Sequence, residues 1–533
     1  MNSHNSLHEP VICQRASHIR LTRSLIVVLS VAGGCMSLPD QSGRTETNAV
    51  RDGNETQLGR SFADDIVAHS GENGVLLLGE GRDAFVARAA LAQLAERSID
   101  LQYYMFHHDT VGNLLTQKLL EAADRNVRVR MLIDDMYGSD GEDDWVALDA
   151  HPNIEVRFFN PWVRGRSRGL QFITRFKNLN YRMHAKTYTV DNQVTIVGGR
   201  NIGDEYFDAD PKLAFSDLDA MAVGPVVQQV EAEFDEYWNS EYAYPVATLV
   251  RQGTQAELDR LRHGKQAFFD ERSTSAYLEA LRDSPLAKGL RAQTVELRWA
   301  EGKIIHDSSE KKAHDTDWRQ ELLISQLAPY IIEAKRDVVI VSPYFVPGAA
   351  ATTALCKLSQ DGVRVRVLTN SLASNDVAAV HAGYSKYRIP LLRCGVELYE
   401  LNEQLKTRER KVFTWLPRLS KSSLHAKTMT FDREIMFVGS FNFDQRSLHI
   451  NNEIGLLYKD GVTAGNSTDK FDQNVGKVAF RVTLEKDSGG KESLRWVGQQ
   501  DGEQVTFNSE PYAGFWLKAE VAVMKLFPIE SQL

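Results

Sequence analysis

Met183-His184-Ala185-Lys186-Thr187, then Asp191, then Gly198-Gly199-Arg200-Asn201, is the stretch that decides the fold, because the chain says it twice. Leu424-His425-Ala426-Lys427-Thr428, Asp432 and Gly439-Ser440-Phe441-Asn442 follow about 240 residues later. Both copies read His-x-Lys, four residues, Asp, six residues, Gly-[Gly/Ser]-x-Asn. One such pattern arises by chance at on the order of one starting point in a million, so two copies mark a duplicated unit. On a strand, His and Lys two apart point to the same face of the sheet and can reach one phosphate. Thr187-Tyr188-Thr189-Val190 continues that strand, Asp191-Asn192 makes the turn, and 194–197 returns as its hairpin partner. The second copy runs the same way through 428–431, Asp432-Arg433 and 435–438.

Around the motifs the repeat continues. Residues 99–106 read as a strand, 112–125 have helical spacing, and 127–134 read as a buried strand. Residues 338–345, 350–359 and 363–369 follow in the same order, with Val127-Arg128-Val129-Arg130 answered by Val363-Arg364-Val365-Arg366. Alternating strands and helices predict an α/β protein with a β-sheet core covered by helices in each half. A chain of 533 residues is also too long for one core. The expected organisation is a leader at 1–35, a polar tether at 36–59, a first lobe at 60–245, a crossover at 246–335, and a second lobe at 336–533. That second lobe closes with a C-terminal extension, expected to be a final strand pair and a helix packed on the core.

Cleaving a phosphodiester through a covalent intermediate takes a nucleophile, an acid for the leaving oxygen, and positive charge on the nonbridging oxygens. Two histidines and two lysines supply that set with no metal and no cofactor. A histidine in a sheet is by itself more often a satisfied core residue, and it is the duplication that reverses this reading. The chain is 43% hydrophobic and 25% charged, which excludes a disordered or polytopic membrane chain, and its net charge of −9 argues against a protein coating nucleic acid through a broad basic surface. Cys13, Cys35, Cys356 and Cys394 show no CxxC or metal-like spacing, so neither a zinc site nor a disulfide framework is expected. Arg15, Arg20 and Arg23 precede an apolar run over 24–32 that closes on Gly33-Gly34-Cys35, the layout of a signal peptide. That run is far short of the roughly 20 residues of a membrane span. Cys35 is therefore a lipid-anchor candidate, with an uncleaved anchor or a later start as the alternatives.

The paired motifs resemble the HKD motifs of the phospholipase D superfamily. Gly199-Arg200-Asn201-Ile202-Gly203-Asp204 and Phe215-Ser216-Asp217-Leu218-Asp219-Ala220-Met221-Ala222-Val223-Gly224 further resemble its bacterial cardiolipin synthase C-like branch, over a stretch from about Asp83 to Glu530. The resemblance implies two pseudo-symmetric lobes, each a mixed β-sheet covered by helices, with the active site at their interface. It implies a phosphatidyltransferase that makes cardiolipin, taking the phosphatidyl group onto a histidine and passing it to phosphatidylglycerol, with phosphatidylethanolamine as a donor.

Carried over residue by residue, the catalytic set is His184, Lys186, Asp191, His425, Lys427 and Asp432. His184 is taken as nucleophile and His425 as acid, although pseudo-symmetry permits the reverse. Asn201, Asn442 and the hydroxyl of Ser440, which stands where the first half has Gly199, are phosphate-binding candidates. Asp191 and Asp432 sit at hairpin turns, which favours a structural job. Asp217 and Glu453 are the orienting acids, each following its histidine by about 30 residues, and Asp219 is an alternative to Asp217.

Ahead of each motif lies a basic stretch interleaved with aromatics. One comprises Trp162, Arg164, Arg166, Arg168, Phe172, Arg175, Phe176 and Lys177; the other comprises Lys406, Arg408, Arg410, Lys411, Phe413, Trp415 and Arg418. Both suit an anionic membrane surface, and equally a nucleic-acid backbone. The leader and the resemblance imply a bacterial membrane-associated protein, of either face, and identify no helper protein. Water as acceptor would make the same machinery a phospholipase D; an HKD nuclease and a noncatalytic scaffold are the other classes, and neither motif is broken as a scaffold would allow.

Overall fold

A computed structural model describes residues 37–533 apart from 139–140, 211–213, 293, 312–321, 405–421, 501 and 528–529. The leader, Cys35 and the second basic stretch lie outside the described residues. Two large mixed sheets carry the two copies of the motif. The first runs, in spatial order, Arg298–Ala300, Asn73–Leu78, Asp219–Val223, Val194–Gly198, Thr187–Val190, Ser98–Tyr103, Arg128–Asp134, Ile154–Phe159, Ala243–Pro245. The second runs Gly302–His306, Ile454–Tyr458, Ile435–Gly439, Thr428–Phe431, Asp337–Val341, Arg364–Asn370, Glu397–Leu401, Ala479–Lys486, Glu492–Gln500, Glu503–Phe507. In each sheet the motif strand and its hairpin partner are antiparallel, and three parallel strands continue beyond them.

The repeated Val-Arg-Val-Arg has a physical reason. Its second arginine is buried and meets a carboxylate on the adjoining parallel strand: Arg130 Nε lies 2.6 Å from Asp100, directly opposite it, and Arg366 pairs with Asp337, which stands opposite Arg364 two residues earlier. A buried guanidinium left without such a partner costs several kcal/mol, of order 3–5. The crossover segment contributes an edge strand to each sheet, Arg298–Ala300 to the first and Gly302–His306 to the second.

The sheets meet back to back along a dry seam. Val197, Ala220 and Ala222 of the first half pack with Met436, Val438, Ile454 and Leu456 of the second, flanked by Val226, Val230 and Phe234 on the helix Pro225–Asn239. Backbone hydrogen bonds also cross it. Leu424 pairs with Ser216 and Met183 with Asn452, so each motif's entry strand is stitched to the segment ahead of the other half's orienting acid.

Two expectations are corrected. The segment read as a tether is instead a strap along the first sheet: Thr45 O and Thr47 O accept from Arg157 and Arg130, and Ala49 N donates to Asp235. Those buried guanidinium groups need acceptors, and the extended strap supplies them. Cys356 and Cys394, 38 residues apart, form a disulfide between the helix Gly348–Gln360 and the end of the helix Arg388–Arg393. Packing of the two helices, rather than sequence spacing, brings the cysteines together, and such a link contributes about 2–4 kcal/mol. The C-terminal extension forms a strand pair, Glu492–Gln500 with Glu503–Phe507, and a helix that packs on the core through one face. No described helix is long and apolar enough to cross a membrane.

Candidate active site

Both motif hairpins turn on two residues in the left-handed region, Asp191-Asn192 and Asp432-Arg433, with φ between 52° and 62°. Two such residues in succession form a turn closed by Gln193 N–H on Val190 O and by Glu434 N–H on Phe431 O, and one further residue precedes the paired strand. The Asp191 carboxylate accepts from the backbone N–H groups of Glu96, Arg97 and Ser98; Asp432 accepts from those of Lys335, Arg336 and Asp337. Both aspartates thus tie the turn to the start of the neighbouring strand, at the end of the sheet away from the histidines. The expectation that they belong to the catalytic set is corrected to a structural role, as their turn positions indicated.

At the other end of these strands a cleft of about 430 Å³ opens across the seam, and His184 and His425 both line it. Each histidine holds a carboxylate from the opposite half. His184 Nδ1 lies 2.9 Å from Glu453 Oε2, and His425 Nδ1 lies 2.5 Å from Asp217 Oδ2. The pairing inferred from sequence distance, an acid about 30 residues after its own histidine, is therefore exchanged between halves. Register is the cause: His184 N donates to Asn452 O and His425 N to Ser216 O, which sets each imidazole beside the residue following its partner. Nδ1–H donation to the carboxylate leaves Nε2 free to act. Asp219, the alternative to Asp217, is occupied by Arg88 at 2.8 Å and by Arg200.

Lys186 and Lys427 stand directly behind their histidines rather than on the cleft wall. Each donates to the carbonyl of its own histidine, and Lys427 Nζ is 2.9 Å from His425 Nδ1. Burial pushes Lys427 down to about 8, opposed by Asp217 and Glu453, and holds Lys186 well below its ordinary value. Burial together with the lysine charges also lowers both imidazoles, His425 to about 4 and His184 well below its ordinary value, with Lys186, Lys427 and Arg446 all acting on His184. Both histidines are thus neutral near pH 7.

The acids differ. Burial works against the Asp217 charge, but His425 and Lys427 outweigh it and hold that carboxyl below its ordinary range. Burial raises Glu453 despite Lys186 and two serine hydroxyls that donate to it, Ser440 Oγ at 2.5 Å and Ser447 Oγ at 2.7 Å. Ser440 is fully buried and spends its proton on Glu453, so its expected contact with phosphate is corrected. Gly199, its counterpart, has no room for a side chain: a Cβ there would lie 2.3 Å from Asp217 Oδ1.

Asn442 and Asn201 line the cleft. Asn201 Nδ2 donates to Tyr206 OH at 2.9 Å, which leaves its role as a phosphate donor dependent on breaking that bond. Aromatic rings frame the imidazoles, Tyr104 5.3 Å from His184 and Tyr206 5.1 Å from His425. Motif reading missed Tyr104, Tyr344, Asp376 and Arg446, all on the cleft wall. Aligning the repeat through Phe106 and Phe345 would have found Tyr344, since the strands Ser98–Tyr103 and Asp337–Val341 both end at the cleft. No such signal marks Arg446, whose counterpart in the first half is Glu205. The cleft is consequently polarised, with Arg446 acting on His184 and with Glu205 and Asp376 acting on Tyr206 beside His425.

The family described as "Cardiolipin synthase, PLD-like domain" matches residues 89–238 and 327–475, one match per half. The chain is 39% identical over 467 residues to cardiolipin synthase C of Escherichia coli (strain K12), covering 87% of this chain and 96% of that protein. It is 25% identical over 415 residues to the cardiolipin synthase of Oceanobacillus iheyensis, covering 78% and 71%. Phosphatidylserine synthase from Haemophilus influenzae Rd KW20 shares the fold, with a TM-score of 0.51 over 79% of this chain and 91% of that one at 12% identity. With two family matches coinciding with two sheets that share one histidine-lined cleft, the chain belongs to the cardiolipin synthase branch of the phospholipase D superfamily and is an enzyme of that superfamily.

Proposed function

We propose that the protein transfers a phosphatidyl group through a phosphohistidine to phosphatidylglycerol, forming cardiolipin. The observation that carries this reading is the pair of exchanged histidine–carboxylate couples opening on one cleft. His184, kept neutral among three cations, attacks phosphorus with Nε2; the P–N bond forms as the P–O bond to the leaving alcohol breaks. His425 gives that oxygen its proton. The ionised Asp217 makes His425 the better proton holder of the two, and an anionic phosphodiester in the cleft adds the counter-charge that lets it protonate. In the second half-reaction His425 removes a proton from a glycerol hydroxyl, that oxygen attacks phosphorus, and His184 leaves. Asn442, on the cleft wall, donates to a nonbridging oxygen, and the charge of Lys186 and Lys427 behind the histidines favours the anionic phosphoryl group.

The acidic end of the cleft, Asp376 and Glu205, suits the ammonium of a phosphatidylethanolamine donor. A lipid substrate implies work at a membrane surface, and the disulfide fits an oxidising compartment reached through the leader.

One consequence is measurable without turnover. Tungstate, a dianion across this range, is drawn into the cleft by the charge of Lys427 behind His425, so its affinity declines as pH rises through about 8, where Lys427 loses its proton. Lys427→Arg removes that decline; a profile unchanged by the substitution contradicts the assignment.

The function is tested on liposomes of phosphatidylglycerol with and without phosphatidylethanolamine. The expected product is cardiolipin, formed equally with EDTA present. Phosphatidic acid as the sole product would mean hydrolysis, and cleavage of single-stranded DNA with no lipid turnover would mean a nuclease.

A further inference from the structure

The helix Phe515–Met524 is apolar on two faces, but the protein covers only one. Leu517, Val521 and Met524, at helical spacing, pack with Leu372, Ala378 and Ala382. On the other side Phe515 is 75% exposed and Trp516 83%, and just past the helix Leu526 is 81% and Phe527 55% exposed. An aromatic and aliphatic patch bared to this degree, with Lys525 exposed beside it, marks a contact surface.

Its position narrows the partner. The helix packs on Ala378–Tyr384, and Val377 and Val380 at the head of that element line the catalytic cleft. Beyond Phe527 the chain returns so that Gln532 and Leu533 line the same cleft. Across the lip the first half carries a second bare ridge, with Ile173 79% exposed beside Phe172 and Phe176, whose rings meet at 5.1 Å. Between the ridges the two halves are tied where Asn180 Nδ2 donates to Gln532 Oε1 at 2.7 Å. Exposed Arg166, Arg168 and Lys177 border the first ridge as Lys525 borders the second.

We infer that the C-terminal helix is an interfacial membrane-docking element that lies in the headgroup layer of an anionic bilayer and sets the cleft mouth against the lipid surface. Trp516 and Phe515 enter from one side of the mouth, Ile173 and Phe172 from the other. The inference rests on the reading that the substrate is a phospholipid, whose acyl chains stay in the bilayer while its phosphate enters the cleft. A protein seated on both ridges would close the mouth through which that phosphate must pass. Aromatic residues with basic neighbours on an amphipathic surface are the composition that interfaces select.

The test uses the full chain and vesicles of phosphatidylglycerol and phosphatidylethanolamine with brominated acyl chains, which quench tryptophan on contact. The expected result is quenching that is mostly lost in Trp516→Phe. In parallel, Phe515→Ser/Trp516→Ser/Leu526→Ser should lower turnover of vesicle lipid at least tenfold and leave turnover of monomeric dihexanoyl-phosphatidylglycerol unchanged. Quenching unaltered by Trp516→Phe overturns the inference. So does a stable dimer, without vesicles, that shields Trp516 and is lost in the triple variant. If the unsubstituted protein turns over neither lipid, the enzymatic reading fails while quenching still decides the docking.

Discussion

Replacing His425 or His184 with alanine is expected to leave a folded protein with less than a thousandth of the original turnover of lipid. Each substitution removes a group with no understudy: no other imidazole lines the cleft among the described residues, and both lysines stand behind the histidines, bound to the histidine carbonyls, rather than on the cleft wall. A thousandfold is about 4 kcal/mol of barrier. Stability should change far less, because the seam is held by Val197, Ala222, Val438 and Leu456 and not by the imidazoles. Thermal unfolding by circular dichroism and cardiolipin formation on liposomes, measured on the same preparations, check this. Activity of more than a few per cent in either variant would mean that the two halves do not share one reaction.

The second large effect comes from the exchanged acids. Asp217→Asn keeps the shape but removes the charge that fixes the tautomer of His425 and steadies its protonated form, and a loss of about 10²–10⁴-fold in turnover is expected. Glu453→Gln should cost a similar factor through His184. NMR separates this from a merely structural defect. Asp217→Asn should abolish the downfield Nδ1–H signal of His425 and leave that of His184; Glu453→Gln should do the reverse. Loss of the signal from the histidine in the same half as the substituted acid would contradict the exchange.

Much of this architecture is written in local pattern. The two His-x-Lys strands, their hairpin turns and the Val-Arg-Val-Arg repeat carry it because side-chain alternation and turn chemistry act over a few residues. The candidates for the orienting acids could be named from the family resemblance and their distance of about 30 residues past each histidine. Which acid meets which histidine could not, since it depends on a backbone bridge between Ser216 and Leu424, residues that only the packed seam makes neighbours. The disulfide stayed hidden for a like reason, as two helices and not a short spacing align Cys356 with Cys394. Polar composition made 36–59 look like a tether; its carbonyl groups, which any sequence carries, are what the buried arginines use. Ser440 illustrates a different limit. A hydroxyl beside the motif has two acceptors within reach, and the structure awards it to Glu453.

The account turns on two imidazoles from different halves acting on one phosphorus, and covalent trapping addresses that most directly. His425→Ala, offered phosphatidyl-p-nitrophenol, whose leaving group needs no acid, should release one equivalent of p-nitrophenol and stall with the phosphatidyl group on His184, located by mass spectrometry of peptides. His184→Ala should release none. Stoichiometric release from His425→Ala with no adduct on His184, or an adduct elsewhere in His184→Ala, would contradict the account.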